Sequence, residues 1–152
     1  MSDIRNFVVR VYGLILNEKK EVLLTDEFQL DTSMTKFPGG GLEYGEGTID
    51  CLRREIGEEC NGQKIKNIRH FYTTDFFQKA LFYENHQLIS IYYLAELEEP
   101  VCFTISEKVF DFSKMVNGSQ SFRWVKMIEL NEDEFTFPID KLVVGKIKKA
   151  AT

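Results

Sequence analysis

The chain has 152 residues, 43% hydrophobic and 28% charged, with 24 acids against 19 bases and a formal net charge of −5. That length suits a single domain, 1–152, and excludes two large ones. The composition excludes a disordered or fibrous chain, and the acidic balance argues against nucleic acid as a partner, because sequence-independent binding needs a basic surface. The imbalance is local. Residues 40–59 hold six acids (Glu43, Glu46, Asp50, Glu55, Glu58, Glu59) against two bases (Arg53, Arg54) and net −4, while all the other residues together net −1. An arbitrary charge run is usually a solvated face, so its spacing has to decide.

Cys51, Cys60 and Cys102 contain no C-x-x-C pair, and an odd count makes no disulfide framework. They are expected to be small buried hydrophobes in a reducing compartment. Residues 1–5 lack the apolar core of a signal peptide. No apolar run approaches the roughly 18 residues of a membrane span. A cytoplasmic protein without a membrane partner is expected.

In chain order, residues 7–16 are rich in β-branched and aromatic side chains and predict a strand. After a polar turn at 17–20, residues 22–24 return as a second strand, so the two read as a hairpin. Residues 29–36 are polar and read as a loop. Phe37-Pro38-Gly39-Gly40-Gly41 is a turn where the backbone can take unusual angles. Residues 48–60 predict a helix, with Ile49, Leu52 and Ile56 as its apolar stripe, Thr48 as N-cap and Asp50 at the positive end of the helix dipole. Asn61-Gly62 supplies a left-handed stop. Strands follow over 65–77, 88–97 and 120–127, with a connection at 78–87, an acidic turn at 96–100, a short strand at 101–105 and a loop at 106–118. Residues 138–150 predict a closing helix, with Pro138 in its first turn and Ile139, Leu142, Val143 and Ile147 on its apolar side. The order of strands, helix, strands and helix predicts an α/β fold with a mixed sheet.

Glu55, Glu58 and Glu59 stand at i, i+3 and i+4 and share one helix face. Like charges at that spacing repel, and a divalent cation removes the repulsion. Hard carboxylate oxygens suit magnesium or manganese better than zinc. The glycines at 39–41 let the backbone approach an ion closely, and a free carbonyl there adds one more oxygen. Glu46, between turn and helix, is placed to reach the same site, and the Arg54 guanidinium to hold a carboxylate through paired hydrogen bonds.

These residues resemble the Nudix (MutT-like) hydrolase signature: Gly40, five residues, Glu46, seven residues, then Arg54-Glu55-Ile56-Gly57-Glu58-Glu59. Phe37-Pro38-Gly39-Gly40 is similar to the Pro-Gly-Gly turn that often opens it. The box spans 40–62. It departs only at its end, where Asn61 and Gly62 replace a glycine and an apolar residue. The resemblance implies an α/β/α sandwich with a mixed sheet and a metal-dependent hydrolase. That enzyme would cleave the diphosphate linkage of a small-molecule nucleoside diphosphate joined to another moiety, X, by water attack at phosphorus. It implies magnesium, or manganese, held by the Gly40 carbonyl and by Glu55, Glu58 and Glu59. Glu46 would stand behind these ligands or help with an additional ion, and Arg54 would orient Glu55. Glu59 is preferred over Glu58 as general base. Glu96, Glu98, Glu99 and Glu107 are candidates from outside the box, although each reads better as a surface acid.

The remaining residues point less to function. His70 and His86 read as structural or surface groups. Phe76, Phe77, Phe82 and Tyr83 read as core or subunit contact before base stacking, Trp124 as core, and the lysines of the last helix as a solvated face. A catalytically silent Nudix-fold ligand sensor or interaction module is the main alternative, and a plain α/β domain with an acidic helix is the third. The identity of X, the substrate-binding residues and a homodimer, common among look-alikes, stay open.

Overall fold

Alternation along the first strand sets the layers of the molecule. The structure is a computed structural model and describes residues 4–151; of the N-terminal residues judged to lack a signal core, 1–3 lie outside the described residues. In β1 (Asn6–Ile15), Val11 and Ile15 join one buried cluster, while Tyr12 and Leu14 join another on the opposite face. Successive side chains of a strand point to opposite faces, so a strand apolar on both sides must be covered on both. Helix α1 (Thr48–Glu59) closes the first face with Cys51, Leu52 and Ile56. Helix α2 (Pro138–Ala151) closes the second with Ile139, Val143, Val144 and Ile147.

Two sheets lie between the helices. One has the order β4-β1-β6-β5, with β1 parallel to β6 and its other pairs antiparallel. It is built from β4 (Gly39–Gly41), β5 (Ile65–Thr73) and β6 (His86–Leu97) around β1. The other is antiparallel, with the order β3-β2-β7, from β2 (Glu21–Gln29), β3 (Thr32–Lys36) and β7 (Ser119–Lys126). The architecture is the expected α/β/α sandwich with a mixed sheet.

Several local expectations are corrected. The first two strands form no paired hairpin: beyond one bridge between Leu16 and Val22, β1 and β2 enter different sheets. Residues 32–36 are a strand rather than a loop, because β2 pairs with them from Thr25 to Gln29. Residues 101–105 form no strand, and β5 ends at Thr73. Ile49 and Leu142 are exposed, so neither belongs to its helix's apolar stripe. Gly47, not Thr48, is the N-cap of α1, and its N–H donates to Asp50 Oδ2 at 3.1 Å. Asn61 and Gly62 do end the helix, with φ of 55° and 79°, and Gly62 N–H donates to the Gly57 carbonyl. Cys51 and Cys60 are buried, but Cys102 is exposed; all three are free thiols. Trp124 is half-buried against the α1 cluster. Phe76, Phe77, Phe82 and Tyr83 are exposed and fill no core. No helix among the described residues is long and apolar enough to cross a membrane.

Candidate active site

The site forms where α1 meets the edge of the mixed sheet at β4. Gly40 pairs with Val11, and its Cα faces the helix. A Cβ added at Gly40 would lie 2.3 Å from the Glu55 carboxylate. Only hydrogen fits between that backbone and the acid, which is the physical reason for glycine at this point of the turn. Gly39 has a different reason: its φ is 152°, and a Cβ there would meet the Val11 carbonyl oxygen at 2.1 Å.

Arg54 organises the box carboxylates. Its Nε donates to Glu46 Oε2 at 3.0 Å and its Nη2 to Glu46 Oε1 at 2.7 Å. The paired grip predicted for the guanidinium is therefore on Glu46. Glu55 Oε1 receives a single bond from Nη1 at 2.9 Å, and Glu58 Oε2 another at 3.1 Å. Nη2 also donates to the Gly41 carbonyl at 3.0 Å, which ties the helix to the turn. The Arg54 hydrogen bonds hold the Glu46 carboxyl down at about 2, so Glu46 is ionised whenever the protein is folded near neutrality.

Glu59 behaves differently. It turns from Arg54 toward the antiparallel sheet, where Gln120 Nε2 donates to its Oε1 at 3.0 Å. Its Oε2 is buried and has no hydrogen-bond partner. Burial pushes the Glu59 carboxyl up to about 7, against the opposing pull of Lys36 and Gln120. A desolvated carboxylate with one oxygen unbonded calls for a proton or a cation. Gln120 Nε2 also donates to Glu27 Oε2, at 3.1 Å, and the buried Lys36 ammonium lies 3.3 Å from that same oxygen. Residues from α1, β2, β3 and β7 thus converge on Glu59.

The three box glutamates share a helix face but do not converge on one point. Among the described residues no three His, Cys, Asp or Glu side chains are close enough to hold a metal ion. Arg54 holds Glu55 and Glu58, and Glu59 lies apart. None of the outside candidates is joined to a box glutamate by a hydrogen bond or ion pair among the described residues. Glu96 accepts from Asn67, and Glu96 and Glu99 border a surface hollow beside Asn17 and Lys66. Glu107 is exposed, next to Ser106, which lines a surface hollow together with Glu59; Glu98 is half-buried, and its carbonyl accepts from Gln63. His70 is exposed and bonds Thr73, while His86 bonds the Glu84 carbonyl.

A cavity of about 300 Å³ opens between the two sheets. Its walls include Val8, Leu88, Met34 and Ile139, and its rim carries Phe82 and Phe137, whose rings meet edge to face at 6.0 Å. Arg10, Tyr12, Glu27 and Lys36 form its polar side and connect it to the surroundings of Glu59. Beneath it, Tyr92 donates to the buried Asp140 at 2.5 Å.

Sequence reasoning passed over Arg10, Glu27, Lys36, Gln120 and Asp140. A partial signal was present for Glu27 alone, a charge that follows the apolar run Val22-Leu23-Leu24 in the same strand. Which positions turn inward depends on sheet pairing, and pairing is not written locally.

The comparisons agree with this geometry. The family model for the NUDIX domain matches residues 6–143, so the chain belongs to the Nudix hydrolase family. An RNA pyrophosphohydrolase of Ruthia magnifica subsp. Calyptogena magnifica is 28% identical over 137 residues, covering 90% of this chain and 70% of the relative. Among solved structures, MutT from a study of the Aliivibrio salmonicida and Vibrio cholerae proteins superposes with a TM-score of 0.62 at 23% identity, covering 95% of this chain and 98% of the other. A NUDIX hydrolase from Nitrosomonas europaea gives 0.66 at 17% identity, covering 95% and 89%. At these identities the structural neighbours establish the fold.

Proposed function

We propose that the protein is a divalent-metal-dependent pyrophosphohydrolase that cleaves the diphosphate linkage of a nucleoside diphosphate derivative by water attack at phosphorus. The observation that carries this is the Glu59 carboxylate, buried beside Lys36 and Glu27 with one oxygen unbonded. The donor types present suit a magnesium or manganese ion, although Arg54 engages Glu55 and Glu58 and the box carboxylates do not converge without the ion. They offer the orphaned Glu59 Oε2, the Glu55 carboxylate packed on the Gly40 backbone, and hard oxygen donors throughout. Gly40, Glu55, Glu58 and Glu59 would hold the ion, with Glu46 behind them. An ion there would compete with Arg54 for Glu55 and Glu58. Once bound, it supplies charge neutralisation at the phosphate oxygens and a more acidic attacking water.

The chain's own residues do the rest. Glu59 accepts the proton of the attacking water, with Glu58 second in line. Gln120 fixes the angle of Glu59 through a side-chain hydrogen bond. Arg54 keeps Glu46, Glu55 and Glu58 in place when the substrate is absent. The cavity between the sheets takes the nucleoside or X, since it is concave, has apolar walls and a charged side, and is lined by Arg10, which pairs with Gly41 of the box.

The test is phosphate or nucleotide release, with magnesium, from a panel of nucleoside diphosphate derivatives. The panel includes RNA with a 5′-triphosphate, in view of the relative named RNA pyrophosphohydrolase. Turnover is expected on at least one member. Magnesium binding without turnover on any member would instead favour a catalytically silent ligand sensor.

A further inference from the structure

The cavity is cationic in an acidic protein. Arg10, Lys36 and Lys79 line it against one acid, Glu27, although the chain as a whole carries −5. Lys36 is engaged with Glu27 at 3.3 Å. Arg10 is not engaged in this way. Its Nε donates to Tyr12 OH at 2.7 Å, and its guanidinium lies 5.6 Å from the Tyr12 ring centroid. Its two terminal nitrogens have no acceptor, and it forms no ion pair among the described residues. Four N–H donors of a half-buried, cavity-lining guanidinium thus have no protein acceptor among the described residues, although Tyr83 and Glu55 act on it electrostatically.

Strand pairing fixes where that guanidinium stands. Arg10 is opposite Gly41, and a Cβ added at Gly41 would lie 3.9 Å from Arg10 Nη1. Gly40, one residue back, carries the Glu55 carboxylate against its other side. Arg10 thus stands at the seam between box and cavity, one residue along β4 from the Glu55 contact. The two charges are near enough for Glu55 to act electrostatically on Arg10. A planar guanidinium with free paired donors matches a phosphate bidentately, and replacing it with lysine is not conservative there.

We propose that Arg10 is a substrate-positioning residue that binds the substrate phosphate on the cavity side of the box. The inference rests on the pyrophosphohydrolase reading for the identity of the ligand, but its test does not require turnover. Affinities of ADP, GDP, CDP and UDP and of their four nucleosides are measured by calorimetry with calcium present, for wild type, Arg10→Ala and Arg10→Lys. Circular dichroism melts confirm that each variant folds. For the best-bound nucleotide, Arg10→Ala is expected to weaken the diphosphate about 10- to 100-fold. The matching nucleoside is expected to be unaffected, and Arg10→Lys to recover part of the loss. A general structural defect would weaken both ligands alike, and that outcome overturns the proposal. So does equal diphosphate affinity in wild type and Arg10→Ala, or a wild type that binds none of the four diphosphates. Where a hydrolysed substrate is found, the same substitution raises KM more than it lowers kcat. A silent hydrolysis panel with this binding pattern intact would count against the enzyme reading and leave Arg10 in its role.

Discussion

Two adjacent glycines show how one side chain can govern fold or chemistry. At Gly39, an added Cβ meets backbone, the Val11 carbonyl, and φ lies in a region that favours glycine. Gly39→Ala should cost about 3 kcal/mol or more of stability, read as a lowered urea midpoint. At Gly40, the added Cβ meets the far end of a movable side chain, Glu55. Gly40→Ala should therefore fold with a nearly unchanged midpoint yet lose about 100-fold or more in kcat/KM, because Glu55 is displaced. Wild-type kcat/KM in Gly40→Ala would remove Glu55 from the site. Glu59→Gln keeps the Gln120 contact possible but removes the base, and kcat should fall by about 10²- to 10⁴-fold with the fold intact. The box residues were legible in the sequence because their spacing along one turn and one helix is itself the geometry. Glu27, Lys36 and Gln120 were not, because they reach Glu59 from three strands whose pairing has no local signature.

Among the elements, the two helices differ in where they place their acids. Helix α1 presents its charges to the site, while α2 buries one: Asp140 is 1% exposed and receives the Tyr92 hydroxyl. Burial pushes the Asp140 carboxyl up to about 6, opposed chiefly by the Tyr92 hydrogen bond. With the folded value above the ordinary one near 3.8, folding favours the protonated acid. Its stabilising contribution is complete below about pH 4 and is lost as the pH rises toward 6. Comparing Asp140→Asn with wild type in urea melts from pH 3.5 to 8, the stability difference should change by about 2–3 kcal/mol across pH 4–6 and then level off. A difference that is flat with pH would contradict the buried-acid account. Helix α1, its left-handed stop and strands β1, β6 and β7 were readable from periodicity and turn residues. The hairpin was misread because β2 follows β1 closely in sequence yet finds its partners in β3 and β7. Strand β3 was missed because Thr32–Lys36 is polar, and its inward side faces the site instead of an apolar core. Ile49 and Leu142 match the helical period but lie at the margin of each buried stripe, where periodicity alone cannot place the boundary.

For the whole molecule, the net charge of −5 pointed away from anionic partners, whereas the structure separates that charge by region. The acids gather along α1 and its turn, and the cavity beside them is lined by Arg10, Lys36 and Lys79. If the box takes a divalent ion, magnesium at a hundredfold excess over its Kd adds about 2.7 kcal/mol of stability. For a chain of this size that is about 5–10 °C in Tm. The shift should be present in wild type, smaller in Glu59→Gln and reversed by a chelator; an unchanged wild-type Tm would speak against the ion site.

Hydrolysis of the nucleotide panel in ¹⁸O-labelled water, with products identified by mass spectrometry, tests the central claim most directly. The predicted result is cleavage of at least one diphosphate linkage with a single ¹⁸O in one phosphate product, dependent on magnesium and slowed by about 100-fold or more in Glu59→Gln. Undiminished cleavage in Glu59→Gln, or products whose phosphates carry no label, would contradict it.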